Sequence, residues 1–471
     1  MKREIVLCGH LSFEDIECIL NAQATLRLSN DSKLKIVQTR TLLEDLAKRS
    51  PIYGFNRRVG PGKAQDAPAG YDWTLITRHA TRLSNTSEEV LEASVLRLAL
   101  AVLLNGLSLG QSTCSVEAVE HLASCFNVGR INKCKVEKGV GLGAADLVSL
   151  SQMMAQLLQG FSLKPGDALP LISSNAVTYA HLYQLLKRIQ TLLVLSTAIV
   201  CLTLFALEGG NFENAFLAVV GPRRGAFQIC RLMQQLCQDC TTEDNPNFIH
   251  HHLSLRDYVH AAGSVLDCVQ GLQNDLLALF NYFPGNPAIL EGRVVATSGY
   301  NSMNESTAVE GLKQALAKLL QSSALRTEYM CDLMEGDEIY ERNVTLLQEV
   351  AVTSAIYYSG NVHSSPSSSR VGRGTEDFFS LLPLTVSSLE RMLPCFENVI
   401  CIEAFCAAHL LTTTNRNTLL SPSMQTIAAS FLQHFAADQV FLLRPAIESS
   451  MNTSLSVLRR FGVPFFENFT P

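Results

Sequence analysis

Lys138-Gly139-Val140-Gly141-Leu142-Gly143-Ala144-Ala145-Asp146-Leu147 is the stretch of this 471-residue chain on which the reading of its fold turns. Three alternating glycines lead into the small triplet Gly143-Ala144-Ala145, and Asp146 and Leu147 follow. No side chain in the triplet carries a polar atom, and Ala144 offers only a methyl group. Chemistry that starts with the loss of a side-chain hydroxyl has nothing to start from here.

Outward from this stretch the dominant pattern is helical. Leu91/Val95/Leu98, Leu182/Leu185/Leu186/Ile189, Leu312/Leu316/Leu319/Leu320 and Leu382/Val386/Leu389/Leu393 recur at three and four residues, the spacing of one helix face. Alternating runs are few and no internal repeat stands out, so a mainly α chain of long helices is expected. With 47% hydrophobic and 17% charged residues it can bury one very large core or two to three ordinary ones. Thr191 to Leu207 is almost long enough to span a bilayer. Its Ser196, Thr197 and Thr203, and the Glu208-Gly209-Gly210 that follows, make it a core helix of a bundle instead. The balance of 37 Lys+Arg against 43 Asp+Glu, net −6, argues against nucleic-acid and acidic-membrane partners.

Fourteen cysteines are scattered through apolar segments, as at Cys18, Cys201, Cys268, Cys401 and Cys406, where a thiol acts as a small hydrophobe. The start Met1-Lys2-Arg3-Glu4 has no signal-peptide character, so reduced thiols in a cytoplasmic protein are expected. Cys230, Cys237 and Cys240, followed by His250-His251-His252, raise the question of zinc. The Cys-x2-Cys pair lacks a second pair at finger spacing, which leaves thiols near a helix end, a polar helix start and no metal as the expectation. Two segments break the helical pattern: Tyr53 to Asp72, with Gly54, Gly60, Gly62, Gly70, Pro61 and Pro68, and the Ser- and Gly-rich Tyr358 to Thr375. The first reads as a mobile loop, and loops of such length are binding loops, lids or disorder.

The 138–147 stretch resembles the segment in which the histidine and phenylalanine ammonia-lyase family builds an electrophilic prosthetic group. There a Gly-Ser-Val-Gly-Ala-Ser-Gly-Asp-Leu run cyclises, and dehydration of the serine leaves a methylidene carbon. Gly143-Ala144-Ala145 stands where that family has Ala-Ser-Gly, so Ala144 excludes a 4-methylideneimidazol-5-one and no cofactor is expected.

Nearly end to end, the chain is similar to the aromatic amino acid ammonia-lyase and aminomutase family. Tyr53-Gly54-Phe55-Asn56-Arg57-Arg58-Val59-Gly60 resembles its Tyr-Gly-x-Asn-Thr-Gly-Phe-Gly loop, which makes Tyr53 the counterpart of the catalytic base, with Arg57-Arg58 in place of Thr-Gly. Leu75-Ile76-Thr77-Arg78-His79 resembles Leu-Val-Leu-Ser-His and puts His79 at a substrate-pocket histidine; Asn105-Gly106-Leu107-Ser108 resembles Lys-Gly-Tyr-Ser. In Ala168-Leu169-Pro170-Leu171-Ile172-Ser173-Ser174-Asn175, Ser173 replaces the asparagine that contacts the prosthetic group. His250-His251-His252-Leu253-Ser254-Leu255-Arg256 resembles Gln-Asp-x-Tyr-Ser-Leu-Arg; Leu253 replaces the tyrosine that assists elimination, while Arg256 keeps the position that grips the substrate carboxylate. Ser298-Gly299-Tyr300-Asn301-Ser302 resembles Ser-Gly-Gly-Asn-Phe, with Ser302 at the aromatic position, and Gly374-Thr375-Glu376-Asp377-Phe378 resembles Asn-Gln-Glu-Asp-His.

The resemblance implies an ammonia-lyase-like (fumarase/aspartase-like) fold, assembled as a homotetramer whose active sites draw on several subunits. It implies a smaller N-terminal domain over 1–180 and a central and C-terminal helical bundle over 181–471. The candidate catalytic residues are Tyr53, His79 and Glu376, and the candidate substrate-binding residues are Arg256, Arg57, Arg58, Ser173 and Asn301. The losses cluster on the prosthetic group and its neighbours; the retained positions serve proton transfer and substrate anchoring.

Each candidate also has a plainer reading. Arg57 and Arg58 either help Tyr53 to act as a base or form a solvated loop face or a subunit contact. The Arg256 fork suits a carboxylate, or else a buried ion pair with Asp257, Glu305 or Glu376. His79 alone could be a satisfied core histidine. Glu376 and Asp377 could equally be a helix N-terminal pair stabilised by the helix dipole, with Thr375 as the cap before the apolar run that begins at Phe378. Two functions remain: a cofactor-free lyase, dehydratase, isomerase or cyclase acting on a small carboxylate- or acyl-bearing biosynthetic intermediate, or a catalytically silent binding or scaffolding subunit.

Overall fold

A computed structural model describes residues 2–68, 70–79, 89–138, 145–210, 220–243, 250, 252–283, 285–334, 336, 349–355, 378–434 and 443–460. The chain opens with a small β-α-β turn in which strand β1 (Arg3–Leu7) pairs in parallel with β2 (Ala24–Leu28) across helix α1 (Phe13–Leu20). Ser12 and Asp15 start α1 by a reciprocal cap, each side chain accepting the other's backbone N–H. Then come α2 (Asn30–Ala47), α3 (Thr74–His79), α4 (Ala93–Leu107), α5 (Val116–Asn127) and α6 (Leu147–Leu157). The Leu91 repeat runs into α4 from just ahead of it. From Val95 to Leu107 every residue of α4 except Arg97 is buried, as an all-apolar helix requires.

Four long helices dominate the rest: α7 (Ala176–Glu208), α10 (Tyr258–Phe280), α11 (Met303–Leu333) and α12 (Leu382–Thr413). Between α7 and α10 lie α8 (Arg224–Leu236) and the single turn α9 (Leu253–Arg256). The hairpin of β3 (Ala288–Leu290) and β4 (Arg293–Val295) separates α10 from α11, and α13 (Pro422–His434) and α14 (Leu443–Arg460) end the described chain. The architecture is mainly α, and the three remaining leucine repeats fall inside α7, α11 and α12. Helices α7 and α12 are long and apolar enough to cross a membrane, yet 94% and 78% of their most apolar stretches are buried inside the protein. The α7 hydroxyls fit that burial: Thr197 and Thr203 donate to the carbonyls of Leu193 and Ile199 one turn back.

The apolar run at Phe378 does not start a helix. Asn301 holds the Ser380 N–H and the Phe378 carbonyl, Leu381 is left-handed at φ +53°, and α12 begins at Leu382. Thr375, the expected cap, lies outside the described residues, as does the whole of the Tyr358 to Thr375 segment.

The described residues form two compact units. One gathers those within Met1–Leu185, Leu272–Thr307 and Ser364–Ser388; the other, those within Leu186–Gly271, Ala308–His363 and Leu389–Pro471. In the first, Leu43, Ile52, Phe55 and Ile289 form a buried cluster that ties α2, the Tyr53 loop and the β3–β4 hairpin together. The second contains the fully buried ion pair of Arg326 and Glu403.

Candidate active site

Tyr53 sits between two buried anchors, Ile52 and Phe55. Asn56 ties the turn down: its Oδ1 accepts the Ile52 N–H at 2.6 Å, and its Nδ2 donates to the carbonyls of Ala47 and Ser50. Gly54 is left-handed at φ +72°, and a Cβ there would come within 2.8 Å of Leu169, so only glycine suits the turn. Phe55 packs on Gly166 in the same way, where a Cβ would approach its ring to 2.6 Å. The loop expected from its composition to be mobile thus carries a framework of its own, with Arg57 bridging both Tyr53 and Asp66. Tyr53 is half-buried, and its hydroxyl oxygen accepts the Gly60 N–H at 2.8 Å. Arg57 pairs with Asp66 at 2.9 Å. Arg58 bonds Gln65 at 3.1 Å and lies over the Tyr71 ring, while its Nε is buried without a partner.

The segment that receives Gly54 and Phe55 leads directly to Ser173 and the start of α7. Asp167, fully buried, fixes it by accepting the amides of Lys164 and Ser115 and the Ser115 hydroxyl. Ser173 is buried, and the Ser174 carbonyl accepts the Asp146 N–H at 2.9 Å. The Asp146 carboxylate in turn accepts the N–H and hydroxyl of Thr178 in the first turn of α7. Burial pushes the Asp146 carboxyl up to about 6, against the opposing pull of the Thr178 bonds. Asn175 donates to the Tyr300 carbonyl and to Ser302 Oγ, and Tyr179 also bonds Ser302 Oγ at 2.6 Å. All three side chains are buried, and desolvation drives the Tyr179 phenol well above its ordinary range. Asn175 Oδ1 has no partner among the described residues.

The first unit therefore packs the Tyr53 loop on the 166–169 segment that leads to Ser173, and holds Ser302 against Asn175 and Tyr179 at the start of α7. Ala145 is buried beside Asp146; Gly143, Ala144 and Glu376 lie outside the described residues. His79 ends α3, and its side chain is not described. Sequence reasoning missed Asp146, Asp167, Asn175 and Tyr179. An acidic residue beside a helix start is the one local signal that could have marked Asp146.

Arg256 ends the α9 turn in the second unit. It is exposed, and its guanidinium has no partner among the described residues, so the ion pair with Asp257 does not form. Leu253 is 65% exposed and Phe378 62%; neither is folded into the chain's interior. His252 caps α9 and stacks on Tyr329 at 3.8 Å. Cys240 Sγ accepts the Ser421 N–H, and among the described residues no three His, Cys, Asp or Glu side chains gather to hold a metal.

The sequence profile of the aromatic amino acid lyases matches residues 11–160 and 156–433. The chain belongs to the aromatic amino acid lyase family. It is similar to histidine ammonia-lyase of Deinococcus radiodurans, 24% identical over 460 residues, or 86% of this chain and 84% of that one. The mouse histidine ammonia-lyase is 23% identical over 449 residues, 84% of this chain and 67% of the relative. Among solved structures, the ergothioneine-degrading enzyme ergothionase from Treponema denticola, in complex with desmethyl-ergothioneine sulfonic acid, superposes with a TM-score of 0.83 at 20% identity. That match covers 98% of this chain and 99% of the other. Histidine ammonia-lyase from Trypanosoma cruzi gives 0.77 at 16% identity, covering 99% and 97%. These likenesses show an ammonia-lyase-like fold for this family member.

Proposed function

We propose that this aromatic amino acid lyase family member works without a methylideneimidazolone. In this reading it is a lyase, dehydratase, isomerase or cyclase of a small carboxylate- or acyl-bearing biosynthetic intermediate, cytoplasmic and homotetrameric. The residues at the prosthetic-group position do not fit that group. Ala144 has no hydroxyl to lose, Ser173 and Ser302 stand at positions of its neighbours, and the Ser302 hydroxyl is already engaged by Asn175 and Tyr179. Without the electrophile, ordinary deamination of histidine, phenylalanine or tyrosine is not expected. Abstraction of a proton beside an anchored carboxylate or thioester, with loss of a better leaving group or a double-bond shift, remains open to these residues.

Arg256 carries the proposal: an exposed guanidinium without a partner among the described residues, on a turn held by the protein interior. A planar fork of this kind takes a carboxylate bidentately. Tyr53 is the proposed base; the Gly60 N–H already donates to its oxygen, and such a bond strengthens as the oxygen gains charge. Arg57, Arg58, Ser173 and Asn301 are proposed to line the substrate, with His79 and Glu376 assisting proton transfer. A thermal-shift screen of carboxylates and acyl derivatives against wild type and Arg256→Ala tests this. Hits should weaken in the variant by roughly 1.5–3 kcal/mol, the worth of a desolvated charge-assisted partner. Equal affinities would reject the anchor.

The second reading, a catalytically silent scaffold, draws on one observation: Asn175 and Tyr179 both bond the Ser302 hydroxyl. It expects no carboxylate hits.

A further inference from the structure

The α9 turn is too short to hold itself. Four residues cannot repay the cost of helix nucleation, so its position comes from what grips it. Helix α11 supplies the grip from one face, with Ser322, Arg326 and Tyr329 spaced at four and three residues. Arg326 Nη1 donates to the Ser254 carbonyl at 2.8 Å and to Ser322 Oγ at 2.7 Å, and Ser322 Oγ donates to the same carbonyl at 3.0 Å. The Tyr329 ring stacks on His252 at the start of the turn.

The other edge of the Arg326 guanidinium is locked. Nε and Nη2 bond the two Glu403 oxygens at 2.6 and 2.8 Å, and both side chains are 0% exposed. Thr203 and Ser323 donate to the same carboxylate, and the Tyr258 ring, its hydroxyl held by Ser196 and Thr197, lies 5.4 Å below the guanidinium carbon. A buried ion pair of this kind is weak evidence for stability, since apolar residues of similar volume often serve as well. What an apolar pair cannot do is present a charged donor to one backbone carbonyl, and here that carbonyl belongs to the turn carrying Arg256.

We propose that Arg326, oriented by Glu403, is a positioning residue for Arg256, fixing the α9 turn so that the guanidinium meets its carboxylate in one pose. This rests on the carboxylate-anchor reading above. The test uses the full-length protein. Hydrogen exchange is followed in peptides covering 252–258, and trans-cinnamate serves as the carboxylate probe. In Arg326→Met/Glu403→Leu, which removes both charges together, the turn should exchange at least about tenfold faster while the interiors of α10 and α12 keep their protection. Probe affinity should fall roughly tenfold or more, in line with the steep cost of misplacing a positioning group. Ser322→Ala should do the same to a smaller degree, and Ser322→Thr, which keeps the hydroxyl, should restore both values; these single variants decide the matter if the double variant does not fold.

Unchanged exchange at the turn in a folded variant overturns the proposal. So does exchange that rises equally in every helix, since that is plain destabilisation. So does wild-type probe affinity in variants whose turn has loosened while Arg256→Ala weakens binding. If wild type binds no probe while the turn loosens selectively, the brace stands and the carboxylate reading falls.

Discussion

At residue 144 a methyl group stands where the resemblance expects a serine hydroxyl, and the first measurable consequence of the proposal lies there. The intact mass of the purified protein should equal that of the unmodified 471-residue chain, with no deficit of two waters and no near-ultraviolet band from a cyclised tripeptide. A deficit of that size would refute the absence of the group. The missing hydroxyl at Ala144 is fully legible in the sequence, because it is a matter of covalent structure alone. The surroundings of Asn175 are not legible in that way. Nothing local tells that its amide reaches Tyr300 and Ser302, 125 and 127 residues on.

Helix starts show the same division at the scale of elements. The leucine repeats announced α7, α11 and α12 because a helix packs one face at a fixed period. The start of α12 departs from the apolar pattern, because Asn301, which captures the backbone at 378 and 380, is remote in sequence. The junction of α6 and α7 has a measurable consequence. Asp146 precedes α6 and accepts from the first turn of α7, and its carboxyl titrates at about 6 when folded against an ordinary value of 3.8. The native state therefore binds a proton that the unfolded chain has released, so this residue's contribution is most favourable below about pH 4 and is lost as pH rises to about 6. The gap is worth about 3 kcal/mol. Urea unfolding of wild type and Asp146→Asn between pH 4 and 6.5 should show the variant gaining up to that amount over wild type as pH rises. Parallel curves would contradict it.

For the whole molecule, the mainly α architecture and the family follow from motifs spread along the sequence, while the packing of the Tyr53 loop on Leu169 and the bonds of Ser302 to Asn175 and Tyr179 need the fold. The resemblance implies a homotetramer, and Leu253, Leu333 and Phe378, each more than 60% exposed in the single chain, are apolar surface that assembly would cover. Light scattering at micromolar concentration should give four chains; a monomer would remove the shared active sites and the proposed chemistry with them. The central claim is that base and anchor survive the loss of the electrophile. Its most direct test is the single-turnover rate of the best carboxylate ligand in wild type and Tyr53→Phe. The account predicts turnover by wild type and a loss of about 10²–10⁴ in rate with affinity nearly unchanged in the variant. Equal rates, or no turnover of any ligand that binds, would contradict it.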